Sequence, residues 1–215
     1  MGQGAKVVGR IITSAACLDE GAAYLLQIEP RFAIALAATG PLPLRLRKDG
    51  FTALLNAIIS QQISVASAAA IWQRMNSAGL TGPRKISQAA DNDLRACGLS
   101  GAKIRYARAL AGSGIRYSAL RALPNSELTK TLTAVSGIGP WTAEIYAMFS
   151  LGRADVFAPG DLALQEAARL LFDLDGRPTE KEFRDMAASW SPWRSVAARL
   201  LWAYYRVVKQ REGIR

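Results

Sequence analysis

An all-α fold is predicted for this chain, a bundle of about nine or ten short helices with short connections, on three observations. Ala and Leu dominate the long segments of a sequence that is 50% hydrophobic, and both are good helix formers. Apolar residues recur at helical spacing, whereas alternating β-branched runs are scarce. Gly, Pro and capping residues then punctuate the segments where helices should begin and end.

Taken in order, residues 18–38 are an Ala/Leu-rich segment broken at Pro30, giving one or two helices, and Gly40-Pro41-Leu42-Pro43 is a rigid break. Phe51, Leu54, Leu55 and Ile58 make the buried face of the next helix, interrupted at Ser60-Gln61-Gln62-Ile63. Ser64 caps a helix through Met75 that Gly79 ends. A short helix over 91–97 turns through Gly98-Leu99-Ser100-Gly101 into another over 102–111, capped by Ser100 and carrying Lys103, Arg105 and Arg108. Asn125 caps a helix to about Ala134, and Ser136-Gly137-Ile138-Gly139 leads to Pro140, the favoured first residue of a helix that reaches about Phe149. After a loop over 152–160, Asp161 opens a helix over 162–172, and a further helix spans about 179–188. Ser191-Pro192-Trp193 starts a long last helix, in which Ala197, Leu200, Leu201, Tyr204 and Val208 keep helical spacing.

Composition narrows the chemistry. At 215 residues the chain can bury a sizeable core, as one domain or two packed lobes. Its net charge of +10, from 27 Lys and Arg against 17 Asp and Glu, favours a polyanionic partner, although a merely solvated basic surface fits as well. The absence of histidine removes the usual neutral-pH base, the commonest zinc ligand and a Ser-His-Asp triad. Cys17 and Cys97 are too few for a four-cysteine cluster or a disulfide framework, and are expected as free thiols. Residues 1–18 lack a signal-peptide core, and no stretch reaches the roughly 18 uncharged apolar residues of a membrane span. A soluble, cytoplasmic protein without a cofactor is expected.

The most informative string is Leu132-Thr-Ala-Val-Ser-Gly-Ile-Gly-Pro-Trp-Thr-Ala-Glu144, a helix, a Gly-x-Gly hairpin and a second helix. The glycines allow a sharp turn and close approach of a partner. The free N–H groups of the second helix attract a phosphate, by charge and by directed donors. An ordinary interhelix turn reads the same way.

Further residues make the pattern specific. Leu132-x-x-Val135-x-Gly137-Ile138-Gly139-x-x-Thr142-Ala143 resembles the hairpin of the helix-hairpin-helix (HhH-GPD) DNA glycosylase superfamily, and Asp155-Val-Phe-Ala-Pro-Gly-Asp161 resembles its loop and catalytic aspartate at matching spacing. Ile58-Ile-Ser-Gln-Gln-Ile-Ser64 resembles its minor-groove wedge loop, Gly98-Leu-Ser-Gly-Ala-Lys103 its turn before a DNA-facing helix, and Pro192-Trp-Arg-Ser195 with Trp202 its final helix. The likeness covers about residues 45–208 and is greatest to the 3-methyladenine DNA glycosylase II type. It implies one glycosylase domain over 1–215. Lobe one would be about 45–135, with the hairpin (128–149) at its edge, and lobe two 150–215 plus 1–44, with an active-site cleft between them. Larger bacterial relatives carry an N-terminal β-rich domain for which 215 residues leave no room, so substrate range is less determined than reaction type.

The resemblance also implies roles. Asp161 reads locally as a helix N-cap, and in the family that position is the catalytic carboxylate, which stabilises oxocarbenium character at C1′ and orients the attacking water. Asp155 caps or braces the site. Trp141 stands where bifunctional members carry a nucleophilic lysine, and neither Lys103 nor Lys130 matches that position, so strand cleavage is not expected. Trp141, Trp202 and Tyr146 line the base pocket, or else pack in the core. Gln62 with Ile63 is the wedge, or else a polar turn. Gly137, Ile138, Gly139 and Thr142 meet DNA at the hairpin, with Lys103, Arg105 and Arg194 as phosphate-side charges. No catalytic metal is implied, but the carbonyls of Thr133, Val135 and Ile138 match a monovalent-cation site bridging to phosphate.

The expected activity is therefore a monofunctional hydrolase acting on N-glycosyl bonds, releasing alkylated purines from double-stranded DNA as a monomer and leaving an abasic site. A non-catalytic helix-hairpin-helix DNA-binding protein, or a glycosylase with lyase activity or mismatch preference, are the alternatives.

Overall fold

The computed structural model describes residues 8–209, and those residues form thirteen helices and no strand. They are α1 (Ala15–Ile28), α2 (Phe32–Thr39), α3 (Phe51–Ser60), α4 (Val65–Ser77), α5 (Pro83–Gln88), α6 (Asp91–Ala96), α7 (Gly101–Gly112), α8 (Tyr117–Leu120), α9 (Asn125–Thr133), α10 (Pro140–Phe149), α11 (Leu162–Leu171), α12 (Glu180–Ala188) and α13 (Arg194–Lys209). The all-α expectation holds, and the expected nine or ten helices become thirteen. α5 and α8, at six and four residues, are too short to display a helical period, and Pro30 separates α1 from α2. The remaining terminal residues, to which the sequence reading also assigned parts of the domain, lie outside the described residues. No described helix is long and apolar enough to cross a membrane.

The described residues fall into two units, one containing Arg47–Tyr146, the other Gly9–Leu46 with the described residues from Ala147 onward. In the first, Phe51, Leu54, Leu55 and Ile58 of α3 are all buried, as their spacing required. α7 is the hub, packing on α3, α5 and α6 with Ile104, Ala107 and Leu110 buried. Each such Leu or Ile contributes about 1.5–3 kcal/mol by leaving water. Ser64 and Ser100 are caps as expected, accepting from Ser67 N at 3.1 Å and Lys103 N at 3.4 Å. Asn125 is not: Pro124 is the N-cap of α9, its fixed φ of −57° already directing the turn, and Asn125 is the first helical residue.

In the second unit α13 is central, packed against α1, α2 and α11. Every residue from Ser195 to Ala203 is buried, the mark of a helix enclosed on all sides. Contact with α1 is close enough to require glycine: a Cβ on Gly21 would lie 2.6 Å from Val196 Cγ2. Phe32, Phe157, Phe172, Phe183 and Trp190 form an aromatic cluster, with Phe157 4.8 Å from Phe183 and 5.4 Å from Trp190 in edge-to-face geometry. Through Phe157 this cluster anchors the loop that precedes α11. The same loop is paired at its start with residues near the N-terminus, where Ile11 and Arg153 form an isolated antiparallel bridge.

Candidate functional site

In the first unit, α9 and α10 flank the turn Ser136-Gly137-Ile138-Gly139, closed by Ile138 N to Val135 O at 3.0 Å. The two glycines have different reasons to be there. Gly137 has φ +93°, and a Cβ on it would overlap the ring of Tyr106 on α7. Gly139 has an ordinary φ, and a Cβ there would meet nothing within 4 Å. The fold therefore requires Gly137, while Gly139 keeps an open surface at the start of α10. Pro140 begins that helix, as its sequence position implied. Trp141 follows it and is 36% exposed.

A residue that sequence reasoning passed over holds this region together. Gln61 Nε2 donates to Gly137 O at 2.9 Å and lies 3.3 Å from Thr142 Oγ1. Thr142, expected at the DNA surface, is buried and serves as a partner for Gln61. No local pattern could have shown this, because the partners lie 76 and 81 residues apart in sequence. With Gln61 turned inward, Gln62 takes the next corner at φ +57°, a left-handed conformation uncommon outside glycine. Gln62 and Ile63 are both exposed at the tip. Lys103 is bound inward too: its Nζ donates to Ile59 O at 2.5 Å, and burial pushes its amine down. It ties the start of α7 to the end of α3. Tyr146 is buried, its hydroxyl accepting from Gly50 N at 2.9 Å.

In the second unit, Asp161 caps α11. Its Oδ1 accepts from Ala163 N and Leu164 N, both at 3.0 Å, and from the indole Nε1 of Trp202 at 3.1 Å. The first two contacts are those of an N-cap, as the local sequence indicated. The third comes from α13. Asp161 is 7% and Trp202 3% exposed. The preceding loop is clamped by the start of α13. Ser195 Oγ donates to Arg153 O at 2.5 Å and Val156 O at 2.9 Å, and Ser195 N donates to Ala154 O at 2.8 Å. Asp155 accepts from Arg194 Nε at 2.6 Å and Ser191 Oγ at 2.9 Å. Arg194, expected beside phosphate, thus braces the loop, and Asp155 is the other half of that brace. Gln165 Nε2 adds a bond to Pro159 O at 2.8 Å.

An HhH-GPD superfamily model, that of base excision DNA repair proteins, matches residues 55–193, which include both the hairpin and Asp161. The chain belongs to this superfamily. A DNA-3-methyladenine glycosylase 1 of Schizosaccharomyces pombe is 32% identical over 179 residues, 79% of this chain and 78% of that protein. A Bacillus subtilis relative is 30% identical over 173 residues, 74% of this chain and 60% of its own length. Among solved structures, the S. pombe 3-methyladenine DNA glycosylase in complex with abasic DNA aligns with a TM-score of 0.75 and 28% identity, covering 88% of this chain and 97% of that one. As an HhH-GPD protein, this chain has a catalytic candidate in Asp161 and no lysine in the hairpin string 132–144.

Proposed function

We propose that this protein is a monofunctional DNA glycosylase of base excision repair that hydrolyses the N-glycosidic bond of alkylated purines, 3-methyladenine and 7-methylguanine among them. One observation carries the reading: a carboxylate fixed at a helix N-terminus, at family spacing from the hairpin, held by two backbone N–H groups and an indole. Asp161 stabilises positive charge developing at C1′ as the base departs with the bonding electrons, and it orients the water whose oxygen then bonds C1′. Alkylation at N3 or N7 gives the purine a positive charge, so it leaves as a neutral base. The exposed ring of Trp141 supplies an aromatic face whose attraction for a cationic base is about 0.5–2 kcal/mol.

The hairpin Gly137-Ile138-Gly139 and the start of α10 take a DNA phosphate, while the exposed Gln62 and Ile63 are the wedge that fills the stack when the base is flipped. Thr133 closes α9, where a cation is favoured, and Val135 and Ile138 lie in the turn that follows. Those three carbonyls would hold a monovalent cation that neutralises part of the phosphate charge. A DNA substrate supports a cytoplasmic, nucleoid-associated location, and one lesion at a time requires no more than a monomer.

Incubation with methylated duplex DNA tests the proposal by the free bases released. Release of 3-methyladenine and 7-methylguanine is expected, falling by about 10²-fold or more in Asp161→Asn. Undiminished release in that variant would remove Asp161 from the chemistry. DNA binding without release of any alkylated base would instead favour a binding module.

A further inference from the structure

We infer that Trp202 is a positioning residue for Asp161, acting through its indole N–H rather than through its ring face. The inference rests on Asp161 being the catalytic carboxylate, as proposed above. Two backbone donors from α11 tether one oxygen of Asp161, as they would in any helix cap. The Trp202 donor reaches the same oxygen at 3.1 Å from a different helix, 41 residues later, and so ties its position to α13 as well as to α11. An indole N–H can only donate, so it matches an anionic oxygen and offers no competing acceptor.

The indole is itself fixed. Its ring lies 5.7 Å from that of Phe149, tilted by 38°. Arg199 Cζ sits 4.3 Å from the Phe149 centroid. Arg199 is held by Leu44 O at 2.9 Å and Met148 O at 3.1 Å. A guanidinium, a phenyl ring and an indole therefore form a buried column whose polar edge ends on Asp161. With 3% of its surface exposed, Trp202 has little face to offer a flipped base. An aromatic reading of this position from sequence alone sees the face and misses the edge.

The test replaces Trp202 by 3-benzothienylalanine, which keeps the fused-ring shape and lacks the N–H, and separately by Phe. Single-turnover release of 7-methylguanine is measured against protein concentration. The plateau rate is expected to fall about 10–100-fold in both variants, with the half-saturating concentration unchanged within twofold and the benzothienyl protein melting within a few degrees of wild type. In ¹⁵N-labelled protein, the indole N–H resonance that disappears in Trp202→Phe is expected to move upfield in Asp161→Asn. A benzothienyl variant within twofold of the wild-type plateau would overturn the inference, as would a loss confined to the half-saturating concentration, which would assign the ring face to base binding. An unmoved resonance would overturn it as well. Wild-type protein that releases no base would refute the glycosylase reading on which it rests, a result distinct from all of these.

Discussion

Gln61 joins the loop after α3 to the hairpin, with its amide nitrogen 2.9 Å from the carbonyl oxygen of Gly137. The exposed tip at Gln62 and Ile63 is thereby fixed to the hairpin turn within one unit, so the wedge and the clamp proposed for DNA keep a set distance. Substituting Gln61 by Leu removes the hydrogen bond while preserving bulk. A stability loss of about 1–3 kcal/mol is expected in urea unfolding, because Gly137 O loses its donor. Affinity for an abasic duplex, read by fluorescence anisotropy, should fall with it. An unchanged affinity would separate the loop from DNA binding.

The two hairpin glycines should respond in opposite ways. Gly137→Ala forces both a strained φ and an overlap with Tyr106, and is expected to cost about 1–3 kcal/mol of stability. At Gly139 a Cβ meets open space, so Gly139→Val should leave the melting temperature within a few degrees, yet weaken DNA binding across sequences. Equal melting losses in the two variants would contradict the geometry described here.

Arg194 offers a discrimination by salt. Its guanidinium is committed to Asp155, so Arg194→Ala should reduce base release and stability without changing the slope of log affinity against log salt. A slope smaller by about one unit would show that Arg194 neutralises a phosphate instead.

Alkaline pH probes the surroundings of Tyr146. Its phenol is pushed up to about 12, mainly by burial and further by the nearby Asp49. Tyr117 is pushed up to about 12 by burial and by Tyr146. Both are acids whose neutral forms the fold favours. Their contribution is fully present below about pH 10, where an unfolded tyrosine ionises, and is lost as pH rises toward 12. Tyrosinate absorbance should show two late-titrating groups, and Tyr146→Phe should remove one of them while leaving Gly50 N without its acceptor.

Treatment with borohydride during turnover should trap no covalent protein–DNA adduct, since the hairpin string 132–144 holds no lysine to attack as an amine. A trapped adduct would demand a nucleophile elsewhere and a lyase step.

The sequence and the structure agree where information is local and part where it is not. Helical spacing foretold the buried face of α3, and a carboxylate before Leu-Ala-Leu foretold the cap at Asp161. α5 and α8 escaped notice because one or two turns cannot establish a period. The resemblance and their charge point Lys103 and Arg194 toward phosphates, and the structure adds partners that no local pattern shows: a carbonyl at the end of α3 and a carboxylate 39 residues upstream. Charge is visible in a sequence, but desolvation and pairing arise only on folding. Gln61 and the N–H edge of Trp202 lay beyond reach for the same reason, each depending on a partner brought near by other helices.

The brace on the loop before α11 has a temporal consequence. Ribosomes deliver a chain from its first residue to its last, and Asp161 emerges well before Ser191, Arg194, Ser195 and Trp202, the groups that secure its loop and its carboxylate. A nascent chain halted short of α13 would carry the carboxylate without its supports. The supports of the carboxylate would thus be complete only after α13 has emerged and docked.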